Sequence, residues 1–446
     1  MISGFRELVY EWEERHWMRR IRRDVSPKYE VAAIAKQFKG RQPLLFDHIR
    51  GFDRPLVIGM GGDRSLVAAS MGIKADELIP HLMQAIVRPI PTERTMRAPV
   101  HDVTIYPPFE VGQIVPGLTY HKEDSGPYYV AGVMVVKSPR GDKQFTSVRR
   151  MQILPGNRIN VVITSPELGR QVQTFEERGQ PMEFAVMFGV VPAVILSSQV
   201  ASHLFHVDKL GVAGGLVGRP LPTVVCKTVD LEVLAEAECI LEGVMLPGVR
   251  ELEGPFGELG GYYSQRGLFP VAEIRAITHR KDFIIHTVMP ASYEERLPMA
   301  LNREVVLLQT VRQVVPNVVA VHLTMGGIGR FHAVIQVAKQ SDGDGKEAAL
   351  AAFASDKDLK HVVVVDDDVN IFDAEDVEWA IATRVQADQD VFIVPGAKGS
   401  PLEASHHLRN TTAKVGIDAT YPMEKASSFR RTSVPGEDAL DMSLYL

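Results

Sequence analysis

The spacing of apolar residues changes twice along the 446-residue chain, and each change predicts a different kind of structure. Over residues 5–23, Leu8, Trp12 and Trp17 recur among charges and Ser26-Pro27 follows, so the spacing predicts a helix that ends before the proline. A second helix is expected at 30–38, two short buried strands at 43–46 and 55–59, and helices around 65–69 and 75–86, together an α/β unit. From about Val100 the texture turns to short β-branched runs divided by Gly and Pro, at 103–105, 128–136, 158–164, 182–189 and 223–234. That density of strands predicts a barrel or sandwich, with helices at 166–178 and near 208–211 on its rim. Beyond about Leu297, helix and strand alternate again over 305–314, 318–323, 332–338, 345–354 and 361–365, a βαβ layout. The tail from Ser427, carrying Arg430, Arg431, Pro435 and Asp438 before a last helical turn, reads as an exposed arm that docks on a neighbour or on its own core.

Length favours two or three domains, and the texture places them at 1–99, 100–296 and 297–446. The class is α/β (α+β). A hydrophobic share of 45% with 23% charged residues is that of a folded globular chain. A formal charge of -6 and scattered basic residues argue against a nucleic-acid partner. The one basic cluster, Arg19-Arg20-Ile21-Arg22-Arg23, reads as a solvated helix face. Two cysteines in apolar surroundings, Cys226 and Cys239, fit a reducing cytoplasm, and the first residues lack a signal-peptide pattern. The longest apolar run, 184–196, is broken by Gly189 and Pro192 and is too short to span a membrane.

Chemistry concentrates at Glu253-Gly254-Pro255-Phe256-Gly257-Glu258, followed by Gly260-Gly261-Tyr262-Tyr263. Two glycines and a proline fix a short turn that presents two carboxylates together, which suits acid–base work or, taken alone, an ordinary solvated acidic turn. Other motif-like stretches carry less. Gly59-Met60-Gly61-Gly62-Asp63 has neither dinucleotide-loop spacing nor a P-loop lysine and is read as a tight turn. Gly326-Gly327-Ile328-Gly329 is read as a hairpin turn, Asp366-Asp367-Asp368 as helix-capping rather than metal-binding, and His406-His407 as a solvated pair.

The hexapeptide ahead of Gly-Tyr-Tyr resembles the signature of the UbiD decarboxylases, including the ferulic acid decarboxylases. Similar texture recurs at 45–59, Phe188-Gly189-Val190-Val191-Pro192-Ala193, Asp230-Leu231-Glu232, Val365-Asp366-Asp367-Asp368-Val369-Asn370 and Ala413-Lys414-Val415-Gly416-Ile417-Asp418-Ala419-Thr420. The resemblance implies an N-terminal α/β unit, a central split β-barrel of the flavin-reductase type carrying the catalytic loop, and a C-terminal α/β unit that joins subunits into homodimers or larger homo-oligomers. It also implies a cytoplasmic lyase that decarboxylates a small aromatic, heteroaromatic or α,β-unsaturated carboxylic acid without oxidation, and reversibly at high carbon dioxide. The electron sink would be prenylated FMN, supplied by a flavin prenyltransferase. In that family an Arg and two acids form the catalytic set. Here Phe145-Thr146-Ser147-Val148-Arg149-Arg150-Met151 supplies Arg150, with Arg149 the rival, beside Glu253 and Glu258. An Arg fork holds a carboxylate and keeps a neighbouring Glu ionised, so Arg150 and Glu253 would orient the substrate carboxylate. Glu258, with a pKa raised by burial, would donate the proton.

Members of that family hold the flavin phosphate through manganese, with potassium beside it, using an Asn, a His and a Glu. The matching places here carry Phe145, Leu168 and Lys209, of which neither Phe nor Leu ligates a hard cation, so no metal is assigned; a one-residue offset would bring in Asp208. Two readings stay open: the Lys209 ammonium stands in for the metal, or the cofactor is lost and the chain is a non-catalytic partner subunit. Further cofactor contacts implied are Ser147, Val148, Arg150, Ser198 and Lys414, with Glu167 where relatives carry Gln. Arg296, Arg303 and His286, after the acidic loop, suggest a second anionic group on the substrate, though surface salt bridges explain them equally.

Overall fold

The computed structural model of the protein describes residues 4–406 and 411–436 together with 440 and 445. The chain forms two compact units, residues 1–305 with 402–404, and residues 306–401 with 405–446.

In the first unit, the helix Phe5–Glu14 buries Phe5, Leu8, Val9 and Trp12 on one face, as its periodicity requires. It stops nine residues short of the expected end. The arginine cluster is then not a helix face: Arg19–Ile21 is a strand, pairing in parallel with Leu44–Phe46, and Arg20 pairs with Glu13 and Asp47. That four-stranded sheet continues through Leu56–Ile58 to Ile285–His286. Glycine spacing at 59–62 serves a turn, as expected. A Cβ on Gly62 would lie 1.7 Å from the Gly40 carbonyl oxygen, and Asp63 caps the helix Arg64–Ala69 by accepting from Ser65 N at 2.9 Å.

The centre of the unit is a nine-stranded antiparallel sheet forming a half-barrel. Its path runs Tyr128–Tyr129, Met151–Ile153, Arg158–Val161, Gly267–His279, Cys239–Glu253, Met182–Phe188, Val133–Lys137, Gln144–Val148, with Val103–Ile105 paired to Gly267–His279. The two longest strands, Cys239–Glu253 and Gly267–His279, make a hairpin whose connection carries the acidic loop. Gly243, at a register shift of this hairpin, lies where a Cβ would stand 2.3 Å from the Glu273 carbonyl oxygen. The helix expected at 305–314 begins twelve residues earlier, as Tyr293–Val314, and runs through Pro298. Ser292 Oγ accepts from Glu294 N at 3.1 Å at its start, and a proline so near a helix start removes a single ladder bond.

The second unit holds a mixed five-stranded sheet ordered Val318–Leu323, His332–Val337, His361–Asp366, Thr411–Ala419, Val391–Lys398. Gly326–Gly329 lies in the turn between the first two of these strands, which pair antiparallel. Asp366 and Asp368 do not cap the following helix: both bind the buried Arg384, at 2.6 and 2.7 Å, while Asp373 caps Ala374–Arg384. A buried guanidinium at the strand end claims these carboxylates first. Arg431 stacks 4.3 Å over the Trp379 ring and pairs with Asp376 at 2.7 Å, so this part of the tail docks on its own unit. Asp438, the last helical turn and His407 lie outside the described residues. Both cysteines are buried and free, and among the described residues no helix is long and apolar enough to cross a membrane.

Candidate active site

Glu253 ends its strand with a fully buried side chain, and the chain turns at Gly254, whose φ of +86° suits glycine. The loop is then pinned from several sides. Ser264 Oγ accepts from Phe256 N at 3.1 Å, Glu258 N donates to the Tyr262 carbonyl at 2.8 Å, and Arg266 Nε donates to the Gly254 carbonyl at 3.0 Å. Asp124 clamps it from another stretch of chain, accepting from Gly257 N at 2.9 Å through one oxygen and from Tyr120 N and His121 N through the other. Burial works against the charge on Asp124, but the hydrogen bonds it takes from His121 and Gly257 hold its carboxyl below the usual range.

Arg150 lies in the two-residue step between the strands Gln144–Val148 and Met151–Ile153. Its Nη2 donates to Glu253 Oε2 at 3.0 Å, its Nη1 donates to Glu258, and its guanidinium carbon stands 4.7 Å over the Phe256 ring. Three residues from two separate stretches thus converge on one fork. Glu258, expected to be buried, is instead 28% exposed, and burial falls on Glu253. The Arg150 Nε and Glu253 Oε1 are buried without a partner.

The rival Arg149 faces elsewhere. It lies in the electrostatic reach of Lys209 and Glu167, which with Phe145, Thr146 and Asp208 help to line a cleft of about 500 Å³. Ser147 and Val148 belong to the strand that walls this cleft and leads to Arg150. Lys209 Nζ donates to the Ser198 carbonyl at 2.8 Å, while the buried Ser198 hydroxyl turns back to the Ile195 carbonyl. Lys414 belongs to the second unit, where its Nζ donates to the Lys357 carbonyl at 3.0 Å.

Two residues that sequence reading passed over bear on the site. Asp124 sits in a Ser-Gly-Pro-rich turn with no sign of its reach to the catalytic loop. Glu295 accepts from Ala291 N at 2.6 Å, and burial, aided by the Glu258 charge, pushes its carboxyl up to about 7. Next to it, Arg296 Nη2 donates to the Leu259 carbonyl at 3.0 Å, beside Glu258, and Arg303 is engaged within the protein. His286 does not join them as an anion ligand. Its ring packs 4.8 Å from Phe5, and burial pulls its pKa down to about 4, leaving it neutral.

Three UbiD models match the chain: the 3-octaprenyl-4-hydroxybenzoate carboxy-lyase N-terminal domain over residues 9–86, the Rift-related domain over 93–293 and the C-terminal domain over 297–419. The chain belongs to the UbiD family. This UbiD protein is 35% identical over 418 residues to the anhydromevalonate phosphate decarboxylase of Methanothermobacter thermautotrophicus, covering 92% of this chain and 95% of that one. The UbiD-class enzyme HmfF from Pelotomaculum thermopropionicum, solved with FMN, superposes with a TM-score of 0.96 at 42% identity, over 99% of this chain and 100% of that one. An evolved dimeric form of HmfF with prFMN gives 0.91 at 40%, with full coverage of both chains. The protein is therefore a carboxy-lyase, which sets aside the non-catalytic reading.

A flavin mononucleotide fits what the residues offer: a cleft of sufficient size beside half-buried cations, with the Arg149 Nε unpartnered. A divalent metal does not fit. Among the described residues no three His, Cys, Asp or Glu side chains gather, and Asp208 is occupied capping the helix Lys209–Val217 through Leu210 N and Gly211 N.

Proposed function

We propose that this carboxy-lyase removes carbon dioxide without oxidation from an aromatic, heteroaromatic or α,β-unsaturated carboxylic acid, using prenylated FMN bound along the cleft. The observation that carries this is Arg150 forked between Glu253 and Glu258. Ser147, Val148, Ser198 and Lys209 are the residues that would hold the cofactor. When bound, prenylated FMN supplies the electron sink that no side chain provides.

The protein's own groups do the rest. Buried Glu253 and the Phe256 ring fix the plane of the Arg150 guanidinium, so a substrate carboxylate entering the fork is met by preorganised donors. Entry displaces Glu258 from Nη1, and a carboxylate released from its cation can take up a proton. Glu295, a buried carboxyl raised to about 7, lies within electrostatic reach of it. As the carbon–carboxylate bond breaks and carbon dioxide leaves, Glu258 delivers its proton to the vacated carbon, forming the C–H bond.

The same proposal places the enzyme in the cytoplasm, as a homodimer or larger homo-oligomer charged by a flavin prenyltransferase, and keeps the division at 1–99, 100–296 and 297–446. The test is co-expression with a flavin prenyltransferase, an absorption spectrum of the purified protein, and carbon dioxide release over a panel of aromatic and acrylic acids. A coloured protein that decarboxylates at least one acid is expected. A colourless protein, inert across the panel, sinks the reading.

A further inference from the structure

Two half-buried cations lie within electrostatic reach of one another, Lys209 lining the cleft and Arg149 beyond the strand that walls it, an arrangement that favours an anion to answer it. Lys209 Nζ spends one proton on the Ser198 carbonyl at 2.8 Å, which leaves two to direct elsewhere. Arg149 has its Nε buried without a partner. One carboxylate, Glu167, lies within electrostatic reach of both. The other carboxylates of the cleft are engaged elsewhere, Asp208 capping its helix, Glu232 pairing with Arg94 and Asp142 accepting from Ser138, so the local balance of Arg149, Lys209 and Glu167 is positive. Burial first, and the Arg149 charge second, lower the Lys209 pKa to about 8, the direction expected of like charges forced together. Phe145 and Leu168, which bring no ligating atom, stand on the strand and on the helix Pro166–Glu177 that flank this end.

We propose that Arg149 and Lys209 form a metal-free seat for a phosphate dianion at this end of the cleft, the phosphate being that of the flavin. The inference rests on the cofactor reading above and deepens it. Lys209 contributes a compact ammonium with two free donors, and Arg149 a planar donor edge, so together they replace both the charge and the contacts that a bridging divalent ion would give. The two helices that begin here, at Pro166 and Lys209, add the positive ends of their dipoles. A phosphate could also come from a phosphorylated substrate, and the probes below separate the two sources.

The test uses the full-length protein stripped with EDTA and three probes, FMN, riboflavin and inorganic phosphate, each titrated calorimetrically with and without manganese and potassium. FMN should bind equally with and without metal, and riboflavin at least tenfold more weakly. Lys209→Gln should lower FMN and phosphate affinity by tenfold or more while leaving riboflavin unchanged, with Lys209→Arg restoring most of the loss and Arg149→Gln repeating it. Circular dichroism of each variant reports folding, and the two independent positions keep the test alive if one variant misfolds. A tenfold gain in FMN affinity on adding manganese to the wild type overturns the seat, as does an unchanged FMN-to-riboflavin ratio in both folded glutamine variants. Equal wild-type binding of FMN and riboflavin overturns the assignment to the flavin phosphate. If phosphate binds through Lys209 but neither flavin does, the cofactor reading fails while the anion seat stands; if none of the probes binds, both fail.

Discussion

At the scale of single residues, Glu258 is the group whose removal separates binding from chemistry. Glu258→Gln keeps the loop and a hydrogen-bonding side chain but has no proton to give. Its kcat should fall by about 10²–10⁴-fold, the usual range for a lost general acid, with flavin content unchanged by absorbance. Solvent deuterium should still appear at the vacated carbon in whatever product forms. Glu294 is a different kind of carboxyl. It accepts from Gly59 N at 2.7 Å and Met289 N at 3.0 Å, filling the glycine loop with the protein's own acid, and burial raises it from 4.5 to about 7. Because the folded value lies above the unfolded one, its contribution to stability is complete below about 4.5 and is lost as pH rises through about 7. The loss should be on the order of 3 kcal/mol. The stability difference between wild type and Glu294→Gln, from urea unfolding at pH 5 and pH 8, should shift in the variant's favour at the higher pH. A difference independent of pH would refute this.

Among the elements, the long hairpin sets the position of the site, and its loop is held by Asp124 rather than by its own sequence neighbours. Asp124→Ala removes three backbone-satisfying bonds at once and should lower kcat/KM by at least tenfold while leaving flavin binding near wild type. Retention of full activity would show that the loop is rigid without the clamp. The hairpin was the element least legible in the sequence. The first seven residues of Cys239–Glu253 are buried on both faces, so no alternation marks them as a strand, and Gly243 and Gly248 interrupt the run. By contrast Met182–Phe188 and His361–Asp366, apolar runs bounded by turns, announced themselves. The arginine cluster misled because its charges gave no period at all, and sheet pairing with Leu44–Phe46 decided its backbone. Glu253 and Glu258 were legible because one hexapeptide holds both. Arg150, 103 residues from Glu253, became visible only through family resemblance, and Asp124 not at all.

The whole molecule has two units with separate sheets, and its unfolding should not obey a single transition. Arg384→Ala would strand the buried Asp366 and should cost the second unit about 3–5 kcal/mol. Scanning calorimetry should show the component belonging to that unit shifting alone, and a uniform shift of the entire trace would contradict the division. The molecule is also acidic overall, with a formal charge of -6, yet its substrate is an acid. At the fork itself one guanidinium faces two glutamates, leaving one excess negative charge before anything arrives. A second anion cannot join that trio cheaply, so the visitor must travel in company: substrate and a hydrogen ion enter as a pair. Uptake should therefore weaken as the solution turns alkaline, a trend that an uncharged amide of the same acid would not show.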